Sequence, residues 1–251
     1  MRETVAVRGH IPGVRILLFT GFLGSGKTTL ILAVARVLAE MGRRTCIIVN
    51  EIGDVGIDGE VLRLGGLDVR EITAGCICCQ MGVDLIRTLQ EIVERVVPDL
   101  VMIEASGMAT PAGVIQSLDR YLAATANPSD SANAPGPTGE GLSGTDVAGQ
   151  NAAGPSGGAS VAGPVVTITV VDPTRFEALH EVLTPLIEDQ ITGADRVVVT
   201  KVLEATPEEV DGARRVIQAL QPGVPLHVTD SLQPESVAPL VAALVGSGCR
   251  S

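Results

Sequence analysis

The 251-residue chain contains no run of about twenty consecutive apolar residues, so it offers no helix able to span a bilayer. Its first residues carry Arg2, Glu3, Arg8 and His10 without an apolar stretch of signal-peptide length, and the expectation is a cytoplasmic protein with no membrane partner. Positive charge is also scarce. Eighteen Lys and Arg stand against 29 Asp and Glu, for a net charge of -11 and a pI near 4.7. A nucleic-acid partner is thereby excluded, because a polyanion is held by basic patches that release its counterions. A free nucleotide is not excluded, since one loop can hold phosphates locally. Cysteine is sparse: the chain has five, three of them within four positions, which is not the spaced, even set of a secreted disulfide framework. In a reducing compartment such thiols remain available for metal or redox chemistry. Nothing repeats at a fixed period. What is present is a 45% hydrophobic composition, ample for one α/β core and too small for two domains of average size.

From Ile16 onward, short apolar runs alternate with amphipathic stretches, the pattern of a mostly parallel sheet with helices on both faces. Ile16-Leu17-Leu18-Phe19 reads as a buried strand, Lys27 to Met41 as a helix stopped at Gly42, and Thr45 to Val49 as a second strand. Leu85 to Val97 fits one helix face and ends at Pro98, before a strand from Leu100 to Ile103 that runs into Glu104-Ala105-Ser106-Gly107. Further strands are expected at Val165 to Val171, Arg196 to Thr200 and Pro225 to Val228, with helices between them and a last helix from Pro234 to Val245. Residues 123–164 are almost wholly small or polar and bury too little apolar surface to offset their ordering entropy, so they read as a flexible insertion. It divides one domain into residues 1–122 and 165–251. A docking arm for a partner is the competing reading of the insertion.

Gly21-Phe22-Leu23-Gly24-Ser25-Gly26-Lys27-Thr28 matches G-x-x-x-x-G-K-[ST] and sits between a predicted strand and a predicted helix, as a phosphate loop requires. Gly21 and Gly26 let the backbone curl so that successive N–H groups face phosphates, with the positive helix end behind them. Lys27 is placed to reach the β- and γ-phosphates and the Thr28 hydroxyl to ligate Mg²⁺. Glu104, at the end of its strand, stands where a carboxylate holds or orients that ion, though a helix-capping acid reads the same way.

About fifty residues on from the loop, Cys76, Cys78 and Cys79 are flanked by Gly75 and Gln80. Three thiolates suit Zn²⁺ or another borderline-soft divalent ion, with a fourth ligand from elsewhere. Glu51, Asp54 and Asp58 are the candidates for it. An extended backbone puts Cys76 and Cys78 on one face, and a helical turn brings Cys76 to Cys79 instead. A redox relay and three small core residues are the other readings. Cys46 and Cys249 read as background, as do His10, His180 and His227, the last with a weak possibility of facing a nucleotide base.

Four segments, Gly21 to Thr29 (GFLGSGKTT), Asn50 to Asp54 (NEIGD), Gly75 to Cys79 (GCICC) and Glu104 to Gly107 (EASG), together resemble the CobW-like proteins of the CobW/HypB/UreG group of P-loop GTPases. Asp172-Pro173 and Gln190 to Lys201 extend the similarity across most of the chain outside the insertion. The resemblance implies a three-layer P-loop NTPase fold and a GTP-hydrolysing metallochaperone that carries Zn²⁺ or Co²⁺ on Cys-x-Cys-Cys to a client metalloprotein, with a homodimer as one arrangement. On this chain it implies a nucleotide set of Gly21, Gly24, Ser25, Gly26, Lys27, Thr28 and Thr29, with Thr200 and Lys201 toward the base. Lys27, Glu104 and Glu51 are then the catalytic residues, Thr28 the Mg²⁺ ligand, and Glu51, Cys76, Cys78 and Cys79 the cargo ligands. Asn50 to Asp54 is the expected switch, coupling nucleotide state to metal affinity.

Two features depart from the family's pattern. The guanine-reading Asn/Thr-Lys-x-Asp is here Thr200-Lys201-Val202-Leu203, and leucine accepts no hydrogen bond from the base. Relaxed guanine selectivity is the expectation, unless Glu204 substitutes. The C-terminal domain usual in the family is expected to be absent. A nucleotide-dependent accessory protein of a corrinoid or cobalamin-linked enzyme is the alternative function, and a small-molecule kinase a third.

Overall fold

The computed structural model describes residues 14–49, 68–71, 96, 98–116, 118 and 165–246. Within them the chain builds a seven-stranded sheet from β1 (Arg15–Thr20), β2 (Thr45–Val49), β3 (Asp68–Glu71), β4 (Leu100–Glu104), β5 (Val165–Val171), β6 (Arg196–Val199) and β7 (Leu226–Val228). All its ladders are parallel, in the order β3-β2-β4-β1-β5-β6-β7. The helices are α1 (Lys27–Glu40), α2 (Pro173–Val182), α3 (Thr184–Thr192), α4 (Pro207–Leu220) and α5 (Pro234–Gly246), with residues 111–116 also helical. The α/β architecture expected from the alternation is the one observed.

Successive strand side chains point to opposite faces, and here both faces are apolar because both are covered. Leu17 and Phe19 of β1 face the layer of α1 and α5, with Leu30, Val34, Leu240 and Leu244 packed beside them. Ile16 and Leu18 face the other way, toward Val114 and Leu118. Beyond β5 a further cluster joins Val197 and Val199 to Phe176 of α2, Ile187 and Ile191 of α3, and Ile217 of α4.

Helix termini follow local chemistry. Gly42, at φ +73°, closes α1 in the left-handed region, with N–H bonds from Gly42 to the Ala39 carbonyl and from Arg43 to the Leu38 carbonyl. Thr206 and Glu209 form a reciprocal capping box at the start of α4. The strand β3 is an element the sequence pattern did not announce. The expected helix from Leu85 to Val97 and the insertion at residues 123–164 lie outside the described residues, apart from Val96.

Candidate nucleotide site

β1 is flanked by β4 on one side and β5 on the other, so the chain direction through the sheet reverses around it. In open parallel sheets that switch point, at the carboxyl ends of the strands, is where ligands bind. Four adjacent strands each deliver a functional group there. β1 runs into Gly21, β4 ends in Glu104, β5 leads to Asp172 and β6 to Thr200 and Lys201.

The loop between β1 and α1 needs its glycines. Gly21, Gly24 and Gly26 have φ of +129°, +76° and +88°, and a Cβ on Gly21 would lie 2.2 Å from the Val170 carbonyl oxygen. Gly26 occupies the N-cap of α1, no side chain caps that helix, and its first turn holds no acid. The first-turn N–H groups are therefore left to bind an anion. Thr200 fastens the loop from behind, its hydroxyl donating to the Ser25 carbonyl at 2.7 Å.

The three residues expected to act on phosphate and Mg²⁺ meet in one place. Lys27 is only 5% exposed, and its ammonium donates to the carbonyls of Gly21 at 2.9 Å and Phe22 at 3.2 Å. The Thr28 hydroxyl lies 3.0 and 2.9 Å from the two carboxylate oxygens of Glu104. Backbone register explains the approach: Phe19 pairs with Glu104, and the Ala105 N–H donates to the Phe19 carbonyl. Burial pushes the Lys27 ammonium below its ordinary pKa, although the Glu104 charge pulls it back. Burial likewise pushes the Glu104 carboxyl up, against the Thr28 hydrogen bond and the Lys27 charge. Each charge is thus incompletely compensated by the protein. A phosphate beside Lys27 and a cation beside Glu104 would complete both. A hydroxyl and a carboxylate are hard oxygen donors of the kind Mg²⁺ takes, so the residues fit that ion.

The pair expected toward the base is arranged less simply. Lys201 has a φ of +52° and its ammonium bonds the Asp172 carboxylate at 2.9 Å. Burial raises the Asp172 carboxyl, but hydrogen bonds from Thr174 and Lys201 outweigh it and hold the group below the usual range. The same Asp172 caps α2 through the Thr174 N–H at 3.1 Å. Leu203 is 72% exposed.

Not every expected site residue can be placed. Glu51, Asp54, Asp58, Cys76, Cys78 and Cys79 lie outside the described residues. Among the described residues no group of three or more His, Cys, Asp or Glu is arranged to hold a metal ion. Cys46 is buried in β2, His180 stacks on Phe176 with ring centres 6.0 Å apart, and His227 sits in β7, three strands from β1. Gln190 stands out in the sequence only as part of the Gln190 to Lys201 segment, yet it is 1% exposed and bonds the loop after β4. The one available signal is its place between Ile187 and Ile191 on the buried side of α3.

Comparison with known proteins agrees with this geometry. Residues 15–129 match the family model for the CobW/HypB/UreG nucleotide-binding domain. The zinc chaperone CobW of a Sinorhizobium species is 41% identical over 128 residues, covering 47% of this chain and 34% of that protein. The zinc chaperone YeiR of Escherichia coli K12 is 40% identical over 106 residues, covering 41% of this chain and 31% of that one. The chain thus spans about a third of the length of these curated relatives. The crystal structure of HypB from Helicobacter pylori in complex with nickel superposes with a TM-score of 0.56 at 18% identity, covering 94% of this chain and 87% of that one. The signal recognition particle receptor FtsY of Elizabethkingia anophelis gives 0.53 at 14%, covering 92% and 66%. At these identities the likeness is one of fold, the parallel α/β sheet with its loop between β1 and α1. No helix among the described residues is long and apolar enough to cross a membrane.

Proposed function

We propose that the chain, whose residues 15–129 match the family model for the CobW/HypB/UreG nucleotide-binding domain, is a nucleotide-hydrolysing metallochaperone of CobW-like type. The observation that carries the reading is the convergence of Lys27, Thr28 and Glu104 at the uncapped start of α1. The α1 N–H groups and Lys27 bind the β- and γ-phosphates of GTP. Thr28 and Glu104 would hold Mg²⁺, which would supply positive charge against the negative charge of the phosphates. To serve a triphosphate, Lys27 exchanges its bonds to the Gly21 and Phe22 carbonyls for phosphate oxygens. Glu51 positions the attacking water, and hydrolysis is slow until a partner completes the site.

The cargo is Zn²⁺ or Co²⁺, held by Cys76, Cys78 and Cys79 with Glu51 as the fourth ligand, and passed to a client metalloprotein. The zinc-chaperone names of the relatives support zinc first. Nucleotide selection is relaxed, because exposed Leu203 offers the base no acceptor.

Equilibrium dialysis of metal-stripped protein against Zn²⁺ or Co²⁺ with GTP and Mg²⁺ tests the cargo assignment. Binding that is lost in both Cys76→Ala and Cys78→Ala supports it, and undiminished binding in both variants removes it.

A further inference from the structure

The geometry points to Gln190 as a positioning residue for nucleotide hydrolysis, holding the loop after Glu104 against the phosphate loop; this rests on the hydrolytic reading above. The Gln190 side-chain amide donates to the Gly107 carbonyl at 3.2 Å and the Ala109 carbonyl at 3.0 Å. Its own backbone carbonyl accepts from the Thr169 hydroxyl at 2.6 Å. That proton being committed, the Thr20 hydroxyl donates to Thr169 Oγ1, 2.8 Å away. One chain of hydrogen bonds therefore runs from Thr20, immediately before Gly21, through β5 and α3 to the loop that follows Glu104.

The loop reaches the phosphate loop directly. A Cβ on Gly107 would lie 2.7 Å from the Leu23 backbone nitrogen, so the two backbones touch where only glycine fits. Both loops also grow out of neighbouring strands, β1 and β4. Gln190 is nearly fully buried, where an amide must find partners or lose hydration without return. An apolar side chain in its place releases both carbonyls of the loop. The cost of the polar group is repaid by fixing a loop position, and that position matters most when the γ-phosphate must be held in line for attack. Diphosphate binding, carried by Lys27 and the start of α1, does not need it.

Gln190→Met in the full chain tests this through single-turnover GTP hydrolysis and binding of fluorescent GDP, with thermal unfolding as a control. The expected result is a fall of about tenfold or more in the hydrolysis rate with GDP affinity changed by less than about threefold, a split expected of an interaction that counts only in the transition state. Gln190→Asn keeps an amide one methylene short of the two carbonyls and is expected to show the same split if the methionine variant folds poorly. An unchanged rate in either folded variant overturns the Gln190 assignment alone, as does a parallel loss of rate and GDP affinity. No turnover and no nucleotide binding by the unsubstituted chain overturns the hydrolytic reading and this assignment with it.

Discussion

Both carboxylate oxygens of Glu104 lie within 3.0 Å of the Thr28 hydroxyl, joining the carboxyl end of β4 to the first turn of α1. One proton serves two acceptors, so most of the carboxylate's hydrogen-bonding capacity is left for something else. With Lys27 also short of compensation, the pair suits the phosphate and cation of the proposed function.

The raised pKa of Glu104 gives a pH signature. Folding favours its protonated form, so it contributes stability below the unfolded carboxyl value of about 4.5, and that contribution is lost as pH rises through the higher folded value. Glu104→Gln keeps an acceptor for Thr28 and removes the ionisation. Without nucleotide it is expected to melt higher than the parent at pH 8 and to converge with it toward pH 4. In the same variant Mg²⁺-dependent nucleotide affinity falls about tenfold or more. Differential scanning fluorimetry across pH and titration with Mg²⁺ check the two halves.

Two glycines with positive φ separate loop strain from close packing. Gly42 has φ +73° and open space around it, so Gly42→Ala is expected to cost about 1 kcal/mol from the left-handed conformation alone. Gly21→Ala meets the Val170 carbonyl as well and is expected to cost at least about 2 kcal/mol and to abolish nucleotide binding. Urea denaturation at constant m-value distinguishes them.

Replacing Leu203 by Asp supplies the acid of the Asn/Thr-Lys-x-Asp pattern, which under the proposed function would accept guanine's N1–H and amine protons. Preference for GTP over ATP is expected to rise by about 1–3 kcal/mol, measured by competition against a fluorescent nucleotide. An unchanged ratio would show that the base is not read at this position.

Much of this site is visible in sequence because its chemistry is local. Gly21 to Thr28 carries its own conformational demands, and Glu104 closes an apolar run whose length marks a strand. The strands β1, β2 and β4 are apolar on both faces, which period and composition reveal. β3 escapes such reading because three of its four residues, Asp68, Arg70 and Glu71, are charged, and it is held by its ladder to β2. Gln190, Thr169 and Thr20 escape for another reason. Each looks like a tolerated polar residue in an apolar element, and only the packing of α3 on β5 joins them. Lys201 is visible as a residue but its ion pair with Asp172, 29 positions away, is a tertiary fact.

Under the proposed function one chain couples a nucleotide to a cargo metal. Isothermal titration of the metal-stripped protein with Zn²⁺, in the absence and presence of saturating GTP and Mg²⁺, measures that coupling directly, and titration of GTP with and without Zn²⁺ must return the same factor. Coupling of this kind is expected to tighten Zn²⁺ binding about 5- to 150-fold with GTP and to be lost in Cys76→Ala and Cys78→Ala. Equal Zn²⁺ affinity in both titrations, with GTP shown to be bound, would contradict it.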